Sequence, residues 1–203
     1  MRNIILILSV LMGMNSYAHQ SNLSTVVFSQ TDDGKYVLQI TSSLAAFEGE
    51  IDLQYTKDAY KTPEEFKKLV VAHFLENFTF NINGDDALQL MHPIVILGHE
   101  TKLVAEVVGI PKEVHSLYLQ SQMFQNVHHN KSSVIMIVDG FPKKQYLLNK
   151  ENKHTIDLEI VNGTWEAAVE KPSDFIRKNL PYILLLGIPL AYFIVTFTVR
   201  RLQ

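Results

Sequence analysis

Apolar residues recur along this chain with two different periods and also gather into two uninterrupted runs. A period near two, carried by β-branched and aromatic residues, predicts strands at Leu23–Gln30, Tyr36–Ser42, Phe78–Ile82, Ile94–Leu97 and Thr101–Val108. The same pattern continues at Val114–Gln120, Val134–Val138, Gln145–Leu148 and Thr155–Val161. Turn-forming residues punctuate the series at Thr31-Asp32-Asp33-Gly34, Asn83-Gly84-Asp85, Gly109-Ile110-Pro111 and Asp139-Gly140-Phe141-Pro142. Strands spaced by roughly 8–12 residues are what a sandwich or barrel produces.

One segment changes to the helical period. Thr62 is a good N-cap, Pro63 suits the first helical position, and Glu65 completes a capping box. Phe66, Leu69, Val70, His73 and Phe74 then recur on one face, while Glu64, Lys67 and Lys68 solvate the other. The spacing predicts a helix over Pro63–Asn77, packed on a sheet or closing an open end of the strand assembly. His73 on its apolar face reads as a core histidine bonded to backbone.

The two uninterrupted runs set an expected topology. Ile4–Met12 follows Arg2 and precedes Ser16-Tyr17-Ala18, the small-residue pattern of a cleaved export signal, and is too short to span a bilayer. Pro181–Val199 is uncharged, and as a helix it would extend about 28 Å, close to the thickness of a hydrocarbon core. Arg200 and Arg201 follow it as a stop-transfer flank. Residues 1–18 are thus expected to be a signal peptide and 19–165 an exported domain. A juxtamembrane linker (166–180), a transmembrane helix (181–199) and a cytoplasmic tail (200–203) complete the expected order. The expected fold class is mainly β: a sandwich-like exported domain with one amphipathic helix, plus a C-terminal transmembrane helix. The expected location is the periplasmic face of the inner membrane, by a single pass.

Composition narrows the chemistry. Between residues 19 and 180 there are 15 basic and 21 acidic residues, a net charge of −6, which disfavours nucleic acid as a partner. The absence of cysteine excludes disulfides, thiol nucleophiles, iron–sulfur clusters and thiolate zinc sites. The nine glycines are never closer than eleven positions, so neither a phosphate-cradling loop nor a serine nucleophile elbow can be written. There is no His-Glu-x-x-His helix, and the Asp32-Asp33 and Asp85-Asp86 pairs lack the ligand ladder of a calcium loop. Four Asn-x-Ser/Thr acceptor patterns occur, at Asn22, Asn77, Asn130 and Asn162, and read as chance in an exported chain of bacterial character.

Histidine is the suggestive residue type, with eight copies at 19, 73, 92, 99, 115, 128, 129 and 154. Cleavage after Ala18 would make His19 the mature N-terminus. Its α-amine and Nδ1 could then chelate one metal ion, and one further imidazole would complete a histidine brace, a site that suits copper. The amine must release its proton to do so. His99, in Gly98-His99-Glu100 at a strand end, and the His128-His129 pair are the candidates for that second imidazole. Adjacent residues on a strand point to opposite faces, so joint use of His128 and His129 requires a loop. His92, His115 and His154 read as surface or strand positions.

Several segments resemble a group of exported β-rich proteins of Bacteroidetes-type bacteria that carry His directly after the signal peptide. The resemblance rests on Ala18-His19, on Tyr36–Ile40, on Ala59–Phe66, on Leu97–Thr101, on Glu106–Gly109 and on Leu148–Thr155. It covers about Ala18–Val161 and brings no assigned activity. It implies an association with metal permeases of the HupE/UreJ type, and Pro181–Val199 is a departure from it. The leading expectation is a non-enzymatic, membrane-anchored extracytoplasmic binding module that binds a membrane-protein partner or a transition metal such as copper, with His19 as the primary metal ligand. The alternative is a metal-free interaction or accessory subunit of a membrane complex. A hydrolase using Asp/His chemistry from distant residues is a third class that no local motif supports.

Overall fold

The computed structural model describes residues 23–84 and 87–168. The signal segment, His19, Asp85-Asp86 and the expected span at Pro181–Val199 lie outside the described residues. Among the described residues no helix is long and apolar enough to cross a membrane.

The fold is mainly β, with ten strands and two helices among the described residues. The strands are β1 (Leu23–Gln30), β2 (Tyr36–Ser43), β3 (Phe78–Ile82), β4 (Gln89–Ile96) and β5 (Glu100–Val108), then β6 (Ser116–Ser121), β7 (Lys131–Ile137), β8 (Tyr146–Leu148), β9 (Thr155–Val161) and β10 (Thr164–Ala167). The helices are α1 (Leu44–Tyr55) and α2 (Pro63–Asn77). All of them precede the boundary between Ala167 and Ala168 that separates the chain's two units.

Six strands form one sheet in the order β4-β5-β2-β1-β7-β8, and four form a second in the order β10-β9-β6-β3. Neighbours are antiparallel throughout, except that β1 runs parallel to β7. Alternation along each strand sends every second side chain inward. Val26 and Phe28 of β1, Leu38 and Ile40 of β2, Leu103 and Ala105 of β5 and Val134 and Met136 of β7 are buried from the larger sheet. Phe80, Leu117, Leu119, Ile156 and Leu158 are buried from the smaller one, in the same cluster. Phe28 joins the two sheets, meeting Phe80 edge-to-face with ring centroids 5.1 Å apart. Burying aromatic and aliphatic side chains of this size contributes about 1.5–3 kcal/mol each.

The helix expected over Pro63–Asn77 forms with those bounds. Thr62 accepts from the Glu65 amide at 3.2 Å, while the Glu65 carboxylate reaches back to the Lys61 amide at 2.7 Å, one residue beyond the usual partner in a capping box. Phe66, Val70, His73 and Phe74 are buried and Leu69 is half-buried.

The structure corrects the expectation of a single helix. Leu44–Tyr55 is a second one, capped by Ser43, whose hydroxyl accepts from the Ala46 amide at 3.2 Å. Its buried face is Ala46, Phe47, Glu50 and Ile51. The stripe has the right spacing but includes a carboxylate, and Gly49 interrupts the run, so no apolar periodicity marks it. β4 likewise begins earlier than expected. Pro93 argues for a break, but β4 is an edge strand, where a missing N–H is tolerated. His92, at φ +50°, takes up the irregularity where the pairing with β5 shifts between Met91 and Ile94.

Candidate functional site

One end of the six-stranded sheet receives three of the described histidines, His99, His128 and His129. Because β1 and β7 are parallel, both begin at that end, with Leu23 opposite Lys131. β2 returns antiparallel and finishes there at Ser43, opposite Glu100, where β5 begins. The chain therefore enters β1, β5 and β7 at a common edge. His99 immediately precedes β5, and His128-His129 closely precedes β7. Strands are spaced about 4.8 Å apart, which puts the entry to β7 one strand from β1 and the entry to β5 two strands, about 10 Å, away.

The segment between β6 and β7 is a series of tight turns rather than a strand. Val127 N–H donates to the Phe124 carbonyl at 3.2 Å and Asn130 N–H to the Val127 carbonyl at 3.0 Å. It is anchored from beneath. Met123 and Phe124 are buried, and Phe124 stands edge-on to Phe47 of α1 at 4.9 Å. The Met123 carbonyl accepts from Nε2 of His73 at 2.9 Å, and Asn77 Nδ2 donates to His73 Nδ1 at 3.1 Å, so His73 is the core histidine expected from its position.

Glu50 of α1 supplies the second anchor. The residue is 1 % exposed, and its Oε1 accepts from the backbone amides of Asn126 (2.8 Å) and Val127 (3.2 Å). Its Oε2 accepts from Asn126 Nδ2 at 3.0 Å. A carboxylate taken out of water needs such donors, and a loop of turns needs acceptors for its inward amides. Each solves the other's problem.

Held this way, His128 and His129 are exposed side by side, ring centroids 4.0 Å apart and planes at 55°. His129 sits at φ +56°, a left-handed conformation uncommon for a side-chain-bearing residue. The two imidazoles line a cleft of about 440 Å³ together with other residues of segment 125–130, Lys150 and His154. No Asp or Glu belongs to this lining.

Contrary to the surface or strand position expected for it, His154 is buried. It and Lys153 are held at φ +56° and +54°, and its carbonyl accepts from the Ser121 amide at 3.0 Å. Nδ1 of His154 is buried without a hydrogen-bond partner. Burial pushes its pKa below the ordinary histidine value, and the Glu50 charge opposes that only in part. Ser121 Oγ is also buried and unpartnered, so Ser121 and His154 do not form the bonded nucleophile–base pair that serine catalysis requires.

His99 is exposed in the β4–β5 turn, its carbonyl accepting from the Leu44 amide at 3.4 Å, and it does not line this cleft. Of the four histidines expected as ligands, the structure brings His128 and His129 together and leaves His99 apart. His19 lies outside the described residues. Among the described residues no group of three or more His, Asp or Glu is arranged to hold a metal ion. Glu50, Lys150 and His154 carried no signal in the sequence. Each acquires its relation to the cleft through contacts between segments far apart in the chain.

A second concavity, of about 450 Å³, lies between α2 and β4, lined by Lys67, Lys68, Val71, Pro93, Ile94 and Val95. Ile94 and Ile96 are each about half exposed beside it.

No protein-family profile matches the chain, and no curated protein matches it significantly.

Proposed function

We propose that this chain is an exported binding module, sandwich-like in its β domain and moored by Pro181–Val199, that holds a copper ion between a processed N-terminal His19 and the His128-His129 pair. The observation that carries this reading is the parallel register of β1 and β7, Leu23 against Lys131. His19 is only four residues before Leu23, and four extended residues reach about 14 Å. A mature N-terminus at His19 is therefore tethered within reach of the strand that the paired imidazoles lead into.

A brace takes its α-amine and Nδ1 donors from His19 and one more nitrogen from elsewhere. Two exposed, adjacent imidazoles supply that third donor, with no complete three-donor cluster needed in the rest of the domain. His99, two strands from β1, is the more distant alternative. Cupric ion stands at the top of the affinity order for nitrogen sites. The resemblance to exported proteins associated with metal permeases agrees with a metal-carrying role beside a membrane partner.

Copper titration of correctly processed protein, beside a variant carrying one extra N-terminal residue, tests the reading. The processed form is expected to bind at least about 100-fold more tightly, since the extension removes the amine and its chelate ring. Equal, micromolar or weaker affinities would end it.

The groove between α2 and β4 favours a second reading, a metal-free interaction subunit that docks through its apolar edge. That reading predicts that His19→Ala leaves function intact, while Ile94→Lys or deletion of Pro181–Val199 abolishes it.

A further inference from the structure

Seven of the ten large hydrophobic side chains exposed among the described residues stand on one surface, the outer face of the six-stranded sheet. Ile94 and Ile96 of β4, Ile137 of β7 and Leu147 of β8 are among them. The strand registers align Ile94, Val104, Gln39, Val27 and Ile135 in one row across β4, β5, β2, β1 and β7. Val104, Val27 and Ile135 are half-buried by their neighbours on the sheet, yet none of them belongs to the core cluster or packs against it. The smaller sheet shows what a solvated face of this domain looks like. The side chains pointing outward from it include Thr79, Tyr118, Gln120, Asp157 and Glu159. A sheet face that meets water reads polar, whereas a contiguous apolar one marks a contact surface.

We propose that this face is the isologous interface between two copies of the chain, an inference independent of the copper reading. The two rows flanking the apolar one carry a single ammonium, Lys102, and a single carboxylate, Glu106, each two residues from Val104 along β5. A two-fold axis along the row sets Val104 against Val104 of the second copy. The same axis brings Lys102 of each copy over Glu106 of the other, so the charges on the face complement themselves. Within its own chain Glu106 lies 4.0 Å from the exposed His92 imidazole through one oxygen, which leaves the other available across the interface. Sheets packed face to face lie about 10 Å apart, within reach of such a pair. Five strands of seven to nine residues make a face of about 24 Å by 27 Å, roughly 650 Å² in projection. Side-chain relief brings its accessible area toward the roughly 800 Å² per partner of a standard stable interface. A lipid surface calls instead for a border of basic and aromatic residues, and these three rows hold no Trp or Tyr and only one Lys.

Sedimentation velocity of the processed full chain in density-matched non-ionic detergent tests it. Wild type is expected to dimerise with a micromolar or tighter dissociation constant. Val104→Lys, which lies outside the α2–β4 groove, should weaken the dimer by at least about 100-fold, because it places two ammonium groups on the axis. Lys102→Glu and Glu106→Lys should each weaken it about tenfold by setting like charges opposite one another. The double variant Lys102→Glu/Glu106→Lys should recover wild-type association, a rescue that a fold defect would not show. Far-UV circular dichroism of every variant is expected to match wild type. Because the chain has no cysteine, Val104→Cys supplies a unique thiol, whose reaction with a maleimide should quicken as the dimer is diluted apart. A monomer at every concentration up to about 100 μM overturns the proposal. A dimer indifferent to the charge reversals and to Val104→Lys does so too. Thiol protection independent of concentration gives the face to another segment of this chain, and protection only with anionic phospholipid vesicles gives it to a lipid surface. Either result also overturns the second copy as occupant.

Discussion

Glu50 and Asn126, 76 positions apart, are joined by two hydrogen bonds, one to the backbone amide and one to the side-chain amide of Asn126. Through them α1 dictates the path of the loop that displays His128 and His129. The buried Met123 and Phe124 hold the loop from beneath, and Glu50 adds the acceptor for its Asn126 and Val127 amides.

Glu50→Ala is expected to destabilise the domain by about 1–3 kcal/mol, because the Asn126 and Val127 amides and the Asn126 side chain lose their acceptor. Glu50→Gln keeps one acceptor oxygen but turns an amino group toward Asn126 Nδ2, and should cost about 1–2 kcal/mol. Urea denaturation followed by far-UV circular dichroism measures both. A loss below about 0.5 kcal/mol for the alanine variant would mean the loop is held some other way.

Stability should fall on mild acidification. His154 has its folded pKa below 6.5, so once the pH drops beneath that value the unfolded chain binds a proton that the native state resists. The contribution is fully present above about pH 6.5 and is lost progressively as pH descends toward the folded pKa. Melting temperatures between pH 7.5 and 5.5 are expected to decline for wild type, with a shallower slope in His154→Gln. Identical slopes would assign the acid sensitivity elsewhere.

His73→Leu retains the apolar fit against the core but leaves the Met123 carbonyl without its donor. The expected loss is about 1–3 kcal/mol. His73→Gln, which can still donate, should recover part of it, and chemical denaturation of the two variants decides between a polar and a purely steric role.

Copper at about 100 times its dissociation constant should stabilise the processed chain by about 2.7 kcal/mol, reversibly on chelator addition. The His128→Ala/His129→Ala variant should show no such shift in calorimetry. A shift of equal size there would move the second imidazole to His99.

Much of the placement of strands along the chain was legible in the amino-acid pattern. Alternating Val, Phe, Leu and Ile marked β1, β2, β5 and β9 close to their observed bounds, since inward and outward side chains are dictated by the pleat itself. Thr62, Pro63 and Glu65 announced α2 because capping is a local interaction. Helix α1 escaped because its buried stripe contains Glu50, whose burial makes sense only once the Asn126 and Val127 amides face it. The early start of β4 escaped because whether Pro93 breaks a strand depends on that strand lying at an edge.

The candidate site divides the same way. The sequence by itself determined the residue types: a histidine at 19, a tandem pair at 128 and 129, and no thiol or glycine-rich alternative. Only the tertiary structure decided their company. The parallel pairing of β1 with β7 sets the entry of one beside the other, and the packing of α1 lifts the pair into a cleft with Lys150 and His154. Local propensity cannot encode such neighbours, because strand order and loop anchoring follow from which buried faces and buried polar groups satisfy one another across the whole chain.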